Sequence, residues 1–339
     1  MSLRVSGYYR LEVHQVDGSI RPLSSWFENT ILDTGLDRIG GSSSSLLTYC
    51  QIGAGTTPPT TSDTHLEAPL ASTTTVDSTF RGVHSPTAFP FYDDFTAYWR
   101  RTFSFPVGAA VGRITEVGVG WESDGSLYSR SLVKDIEGNP TTVVVLADEV
   151  LKVVYEAQIT AWPDDVTGYM NFNRRDFVYR LRMCNADYGS TSTGTLGWVY
   201  PSESGFHMGQ IGSYFWAYDG GLGDYYGGPL GSNQAISGGQ SNLTYVEGSY
   251  ERTHRFVLDY DEANFDNGIA AISCIIGPAS WQIGFDPPIP KTEYHQMVFD
   301  ITIKWTRPDR PEFTVTASAD SWLEGYDVTI ETSANAVIV

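Results

Sequence analysis

The segment LKVVYEAQIT (151–160) alternates almost without fault. Leu151, Val153, Tyr155, Ala157 and Ile159 fall on one face of an extended chain, and Lys152, Glu156, Gln158 and Thr160 on the other. A strand of this kind has one face against a core and one toward water, which is the habit of antiparallel sheets. Its apolar face needs a second layer to cover it. Further strand-like segments are YYRLEVHQV (8–16), RRTFSF (100–105), ITEVGVGW (114–121), TTVVVL (141–146), YRLRMC (179–184), ERTHRF (251–256), IAAISCII (269–276), WQIGF (281–285) and MVFDITIKW (297–305). Turn signals such as Asp17-Gly18 and Glu137-Gly138-Asn139-Pro140 lie between them. The 34 Gly, 17 Pro and 13% aromatic residues fit the same reading. One helix is predicted: Ile31, Leu32, Leu36 and Ile39 recur at helical spacing within 26–40, giving a short helix near 27–39 that Gly40-Gly41 stops.

The fold class predicted is therefore all-β, with two antiparallel, jelly-roll-like β-sandwich domains and one short N-terminal helix. Residues 1–165 form the first domain and 166–312 the second. The second carries a long irregular Gly/Ser/Tyr-rich insertion at 185–249. Residues 313–339 read as a C-terminal hairpin or interaction tail. The halves resemble each other in order. Residues 101–105 match 252–256, 114–119 match 269–274, 154–159 match 298–303, and Pro69–Ser72 match Pro229–Ser232. Two explanations stand: an internal duplication, or the chance likeness of alternating strands.

Charge and motifs narrow the chemistry. A net charge of −19 repels a phosphate backbone, so nucleic acid is not an expected partner. Cys50, Cys184 and Cys274 are three and widely spaced, which indicates neither a zinc knuckle nor a disulfide scaffold. The N-terminal MSLRVSGYYRLEV has no apolar core of a secretory leader, and no long apolar run spans a membrane. Gly53-Ala54-Gly55 hints at a phosphate loop, but Thr56-Thr57-Pro58-Pro59 follows where Lys-Ser/Thr or a helix is needed. The stretch reads instead as routing: glycines in unusual backbone geometry, stiff prolines, and Leu66 and Leu70 as anchors. His14, His65, His84, His207, His254 and His295 are scattered without metal-binding spacing. His254 reads as a hydrogen-bonded structural histidine. Asp93-Asp94 and Asp164-Asp165 lack the pattern of a calcium loop. No metal or cofactor is expected.

The segment SYFWAYDGGLGDYY (213–226) is the candidate contact surface, through Tyr214, Phe215, Trp216, Tyr218, Tyr225 and Tyr226. Two competing readings are a loop core and a glycan-cleaving pair, Asp219 and Asp224, since glycosidases need two carboxylates flanking the bond. The apolar Val337, Ile338 and Val339 form a second candidate contact.

A family resemblance adds to this. FENTILDTGLDRIG followed by YCQIGAGTTPPTTSDTHLEAPLAST is similar to the N-terminal region of tailed-bacteriophage virion structural proteins of tail or fibre type. The matching residues are Asn29, Ile31, Gly35, Leu36, Asp37, Ile39, Gly53, Gly55, Thr56, Pro59, Asp63, Thr64 and Leu66. ITEVGVGW and the downstream LYSRSLVKD resemble the same class. The resemblance covers about residues 25–160. It implies a non-enzymatic virion component, assembled in the bacterial cytoplasm. Other virion proteins, further copies of the chain and a host surface glycan or protein are the implied partners. It leaves open tail, collar and head-decoration positions.

Overall fold

The structure is a computed structural model that describes residues 2–41, 45–83, 96–161, 165–172, 175–183, 208, 211–223, 228–276, 279–294, 296–307 and 316–321. The first half contains β1 (Ser2–His14), β2 (Ile20–Pro22), β3 (Phe27–Glu28), β4 (Thr30–Ile31), helix α1 (Asp33–Gly40), β5 (Tyr49–Gly53), β6 (Pro69–Thr73) and β7 (Val76–Val83). It continues with β8 (Thr96–Phe105), β9 (Gly112–Ile114), β10 (Glu116–Gly120), β11 (Leu127–Leu132), β12 (Val143–Val145) and β13 (Val150–Ala161). The second half contains β14 (Val166–Phe172), β15 (Arg175–Met183), β16 (Ile211–Tyr218), β17 (Asn233–Ala235) and β18 (Gly239–Asn242). It ends with β19 (Glu251–Leu258), β20 (Ile269–Ile276), β21 (Ala279–Ile289), β22 (Met297–Thr306) and β23 (Thr316–Ser321). The described residues are nearly all β with one short helix, as the alternation predicts.

One main sheet runs through both halves in the order β18-β19-β22-β1-β13-β8-β7, with β2 and β3 attached to β1 and β23 to β22. Each half then has its own second sheet: β4-β11-β10-β5-β6 in the first and β14-β15-β21-β20-β16-β17 in the second. A small pair, β12-β9, completes the first half. Leu3 on β1 lies between Ala161 of β13 and Trp305 of β22, so the main sheet is continuous across the two predicted domains.

The strand order repeats. β5, β6, β7, β8, β10, β11 and β13 have the same neighbours as β16, β17, β18, β19, β20, β21 and β22, in the same chain order. β1 is antiparallel to β13 and parallel to β22, so the equivalent strands β13 and β22 run in opposite directions. Both second sheets cover the same face of the main sheet: Tyr9 and Tyr155 reach Ser129 of β11, and Phe299, on the same face of β22 as Trp305, packs on Phe285 of β21. The halves are thus related by an approximate twofold axis through the main sheet.

The ladder also corrects one sequence match. Arg100 lies opposite Glu156 and pairs with it at 2.5 Å, and Arg255 lies opposite Asp300 and pairs with it at 2.5 Å. Arg100 is therefore the counterpart of Arg255, where the sequence match set Ser104 there. Alternating strands look alike at any even shift, so their pattern does not discriminate.

The helix is shorter than predicted. Phe27–Glu28 and Thr30–Ile31 are extended, paired with β1 and β11. Asn29 between them donates to Ser129 Oγ (3.1 Å) and Tyr155 Oη (3.3 Å), completing a buried polar cluster with Tyr9. That buried hydrogen bonding and the β1 ladder override helical periodicity until Asp33. The 185–249 region also departs from expectation. It contributes β16, β17 and β18, short strands whose Gly, Ser and Tyr content masked their alternation.

Candidate functional site

The loops joining β5 to β6 (54–68) and β16 to β17 (219–232) occupy equivalent places in the two halves. The first is the glycine-proline stretch, and the second belongs to the candidate contact segment. Pro69–Ser72 and Pro229–Ser232, matched in sequence, both stand where a loop enters its return strand.

The first loop closes on a buried ionic clasp. Glu116 of β10 is fully buried, and its Oε1 accepts the amides of Gly55 (2.9 Å) and Ala68 (2.8 Å). Its Oε2 accepts the amide of Glu67 (3.1 Å) and pairs with Arg130 of β11 at 2.9 Å. Arg130 is 3% exposed and also grips Asp63 (2.5 Å) and the carbonyl of Thr57 (3.1 Å). Glu67 accepts the amides of Thr56 and Thr57, each at 2.7 Å. Burial raises the Asp63 carboxyl, but hydrogen bonds from Thr60 and the Arg130 guanidinium outweigh it and hold Asp63 below the usual range. The hydrogen bonds from Thr57 hold Glu67 low as well. The glycines are explained by close approach: a Cβ at Gly53 or Gly55 would collide with the Glu116 carboxylate. Neither has a positive φ, so unusual backbone geometry is not their reason. Leu66 anchors the loop, fully buried, whereas Leu70 is exposed. This clasp was not anticipated from the sequence; the signal that could have found it is one charged residue amid the apolar run ITEVGVGW and one in LYSRSL.

The second loop is held by fewer charges. Gln282 of β21, fully buried, accepts the Gly223 amide at 3.0 Å, and Arg182 of β15 donates to the Gly223 carbonyl at 2.8 Å. Arg182 is itself held by Asp165 through two oxygens, at 2.8 and 2.5 Å. Gln282 stands opposite Ser273 as Arg130 stands opposite Gly118, so the two long polar side chains hold equivalent places. Asp219 accepts the Ser232 amide at 2.6 Å across a turn in which Gly231 has φ +85°. A side chain at Gly231 would strain that backbone.

Of the predicted contact residues, Phe215 and Tyr218 are buried. Phe215 stacks on Phe256 at 4.5 Å, and Tyr218 bonds Ser273 at 3.2 Å, so both belong to the core. The reason is position: they lie on opposite faces of β16, Phe215 toward the main sheet and Tyr218, on the other face with Trp216, against Ser273 of β20. Trp216 is partly exposed between them. Tyr214 lies on β16. Asp224, Tyr225, Tyr226, Val337, Ile338 and Val339 lie outside the described residues, as do Cys184, His84, His207, His295, Asp93, Asp94 and Asp164. Among the described residues, no group of His, Cys, Asp and Glu is arranged to hold a metal ion, and no helix is long and apolar enough to cross a membrane.

The other polar assembly grips α1. Trp305 Nε1 donates to the Leu36 carbonyl (3.0 Å), the Met208 amide to Ile39 (2.7 Å) and Arg252 to Gly40 (2.5 Å). The Met208 and Arg252 donors satisfy carbonyls that a helix C-terminus leaves open, and Trp305 adds a bond to the last turn before them. Asp37 accepts Tyr245 Oη (2.6 Å) and the Gly248 amide (2.7 Å), while Arg307 pairs with Asp33. The motif Gly35-Leu36-Asp37 is therefore the joint between the halves. Gly35 lies against the Tyr128 backbone, where a Cβ would collide.

Comparison with known proteins returned no matching family model, no matching curated protein and no matching solved structure.

Proposed function

We propose that this chain is a structural protein of a tailed-bacteriophage virion, associated with the tail as a tip, baseplate or fibre-type component. On this reading it is assembled in the bacterial cytoplasm, packs as a homo-oligomer with other virion proteins, and meets the host surface. One observation carries the reading: the residues of the phage-like motif act as scaffold. Asn29 completes a buried polar cluster, Asp37 joins the halves, Gly53 and Gly55 admit Glu116, and Asp63 closes the clasp. Leu66 anchors the loop. A protein whose distinctive residues are spent on fixing its shape is suited to assembly.

Head-decoration or collar placement is the second reading within the class. A glycan-cleaving enzyme is the rival outside it. Against that rival, the Asp219 carboxylate is already engaged by the Ser232 amide. Antibody labelling of intact particles tests the proposal. Label on the tail is expected; label on capsid faces, or on no particle, contradicts it. Release of oligosaccharides from host polysaccharide, abolished by Asp224→Asn, would favour the enzyme.

A further inference from the structure

We propose that the joint between the two halves is acid-labile, and that protonation of His254 is what opens it. His254 lies on β19, inaccessible to solvent, and neither ring nitrogen has a hydrogen-bond partner of normal geometry. The sequence predicted a hydrogen-bonded structural histidine here; the ring is buried, with only the Met208 backbone acting on it as a hydrogen-bond partner. A buried imidazole in this state favours the neutral form, because a charge there has no water and only the Met208 backbone to meet it.

Its surroundings tie it to the joint. Arg252, two residues before it on the same strand face, is the donor that caps Gly40 of α1. The backbone of Met208, whose amide caps Ile39, is the polar group that acts on the His254 ring in favour of its charged form. The directly opposite residues, Asn242 on β18 and Ile301 on β22, carry no charge. The other charges at the joint are engaged elsewhere: Asp33 with Arg307, Asp37 with Tyr245 and Gly248, and Arg38 with Ser45 and the Trp121 ring. Among the described residues Arg252 alone acts electrostatically on His254. Protonation would therefore place a second cation beside Arg252 and strain both caps on the helix end.

The direction of the pH effect follows. Burial, then the Arg252 charge, push His254 down from 6.5 to about 3. A group whose value is depressed in the closed form favours closure fully above its ordinary value and loses that contribution as pH falls toward the depressed one. The window is thus pH 6.5 down to about 3. Each pH unit within it raises the open population up to tenfold, which is roughly 20-fold between pH 7 and 5.

Hydrogen exchange of the intact chain, normalised at each pH to the intrinsic rate of the unfolded peptide, reads this directly. Protection of residues 33–40 is expected to fall about 20-fold from pH 7 to 5, while residues 151–159 of β13 keep theirs. His254→Leu should hold α1 protection level across that range, with His254→Gln as a second variant and near-UV circular dichroism at pH 7.5 reporting its fold. Level protection in the natural chain, or an unchanged slope in a folded variant, overturns the proposal. If neither variant folds, the contrast between α1 and β13 in the natural chain decides.

Discussion

The loops 54–68 and 219–232 solve one problem in two ways. Both must carry the chain from one strand of a second sheet to its edge neighbour. The first does so around a buried Glu116–Arg130 pair that reaches amides and carbonyls at both ends of the loop. The second relies on the neutral Gln282, with Arg182 clamped from outside by Asp165. A buried charge pair tolerates little change, because removal of either partner strands the other. A neutral amide leaves a smaller deficit. The first loop is therefore the more costly of the two to alter. Under the proposed function, that contrast favours the second, with Trp216 beside it, as the place for partner contact.

The largest expected effect comes from the clasp. Glu116→Ala leaves Arg130 buried with its main partner gone, and should lower unfolding stability by about 3–5 kcal/mol. Urea denaturation with a loss under about 1 kcal/mol would equate the two loops and remove the contrast. Gln282→Leu strands the Gly223 amide and should cost about 1–3 kcal/mol, a clearly smaller loss in the same assay. Gly55→Ala pushes a methyl into the Glu116 carboxylate and should also cost about 1–3 kcal/mol, whereas Gly221→Ala, with open space around it, should cost less. The smallest effect belongs to the exposed Phe80, whose replacement by Ser should stay within about 0.5 kcal/mol.

The all-β class was legible because alternation in β13 and its fellows leaves no other periodicity to satisfy. The repeat was legible in order and not in register, since Arg100 and Arg255 find their places through ion pairs across the ladder. The helix start was obscured because Ile31 and Leu32 suit a helix equally well; the buried bonds of Asn29, distant in sequence, decide against it. Phe215 and Tyr218 read as surface aromatics because their neighbours are glycines and polar residues. Only the pairing of β16 with β20 puts them inside. Glu116 and Arg130 went unread in the sequence, although each is a charge where the pattern calls for an apolar side chain.

The most direct test uses two matched positions. Leu70 and Leu230 are set against each other by the Pro-Leu-x-Ser match, and are exposed to 53% and 59%. A photo-crosslinking amino acid at each, in assembled particles, reports what each loop meets. Crosslinks to another protein or to host surface material are expected from position 230 and none from position 70. Crosslinks from position 70 alone would contradict the contrast between the loops.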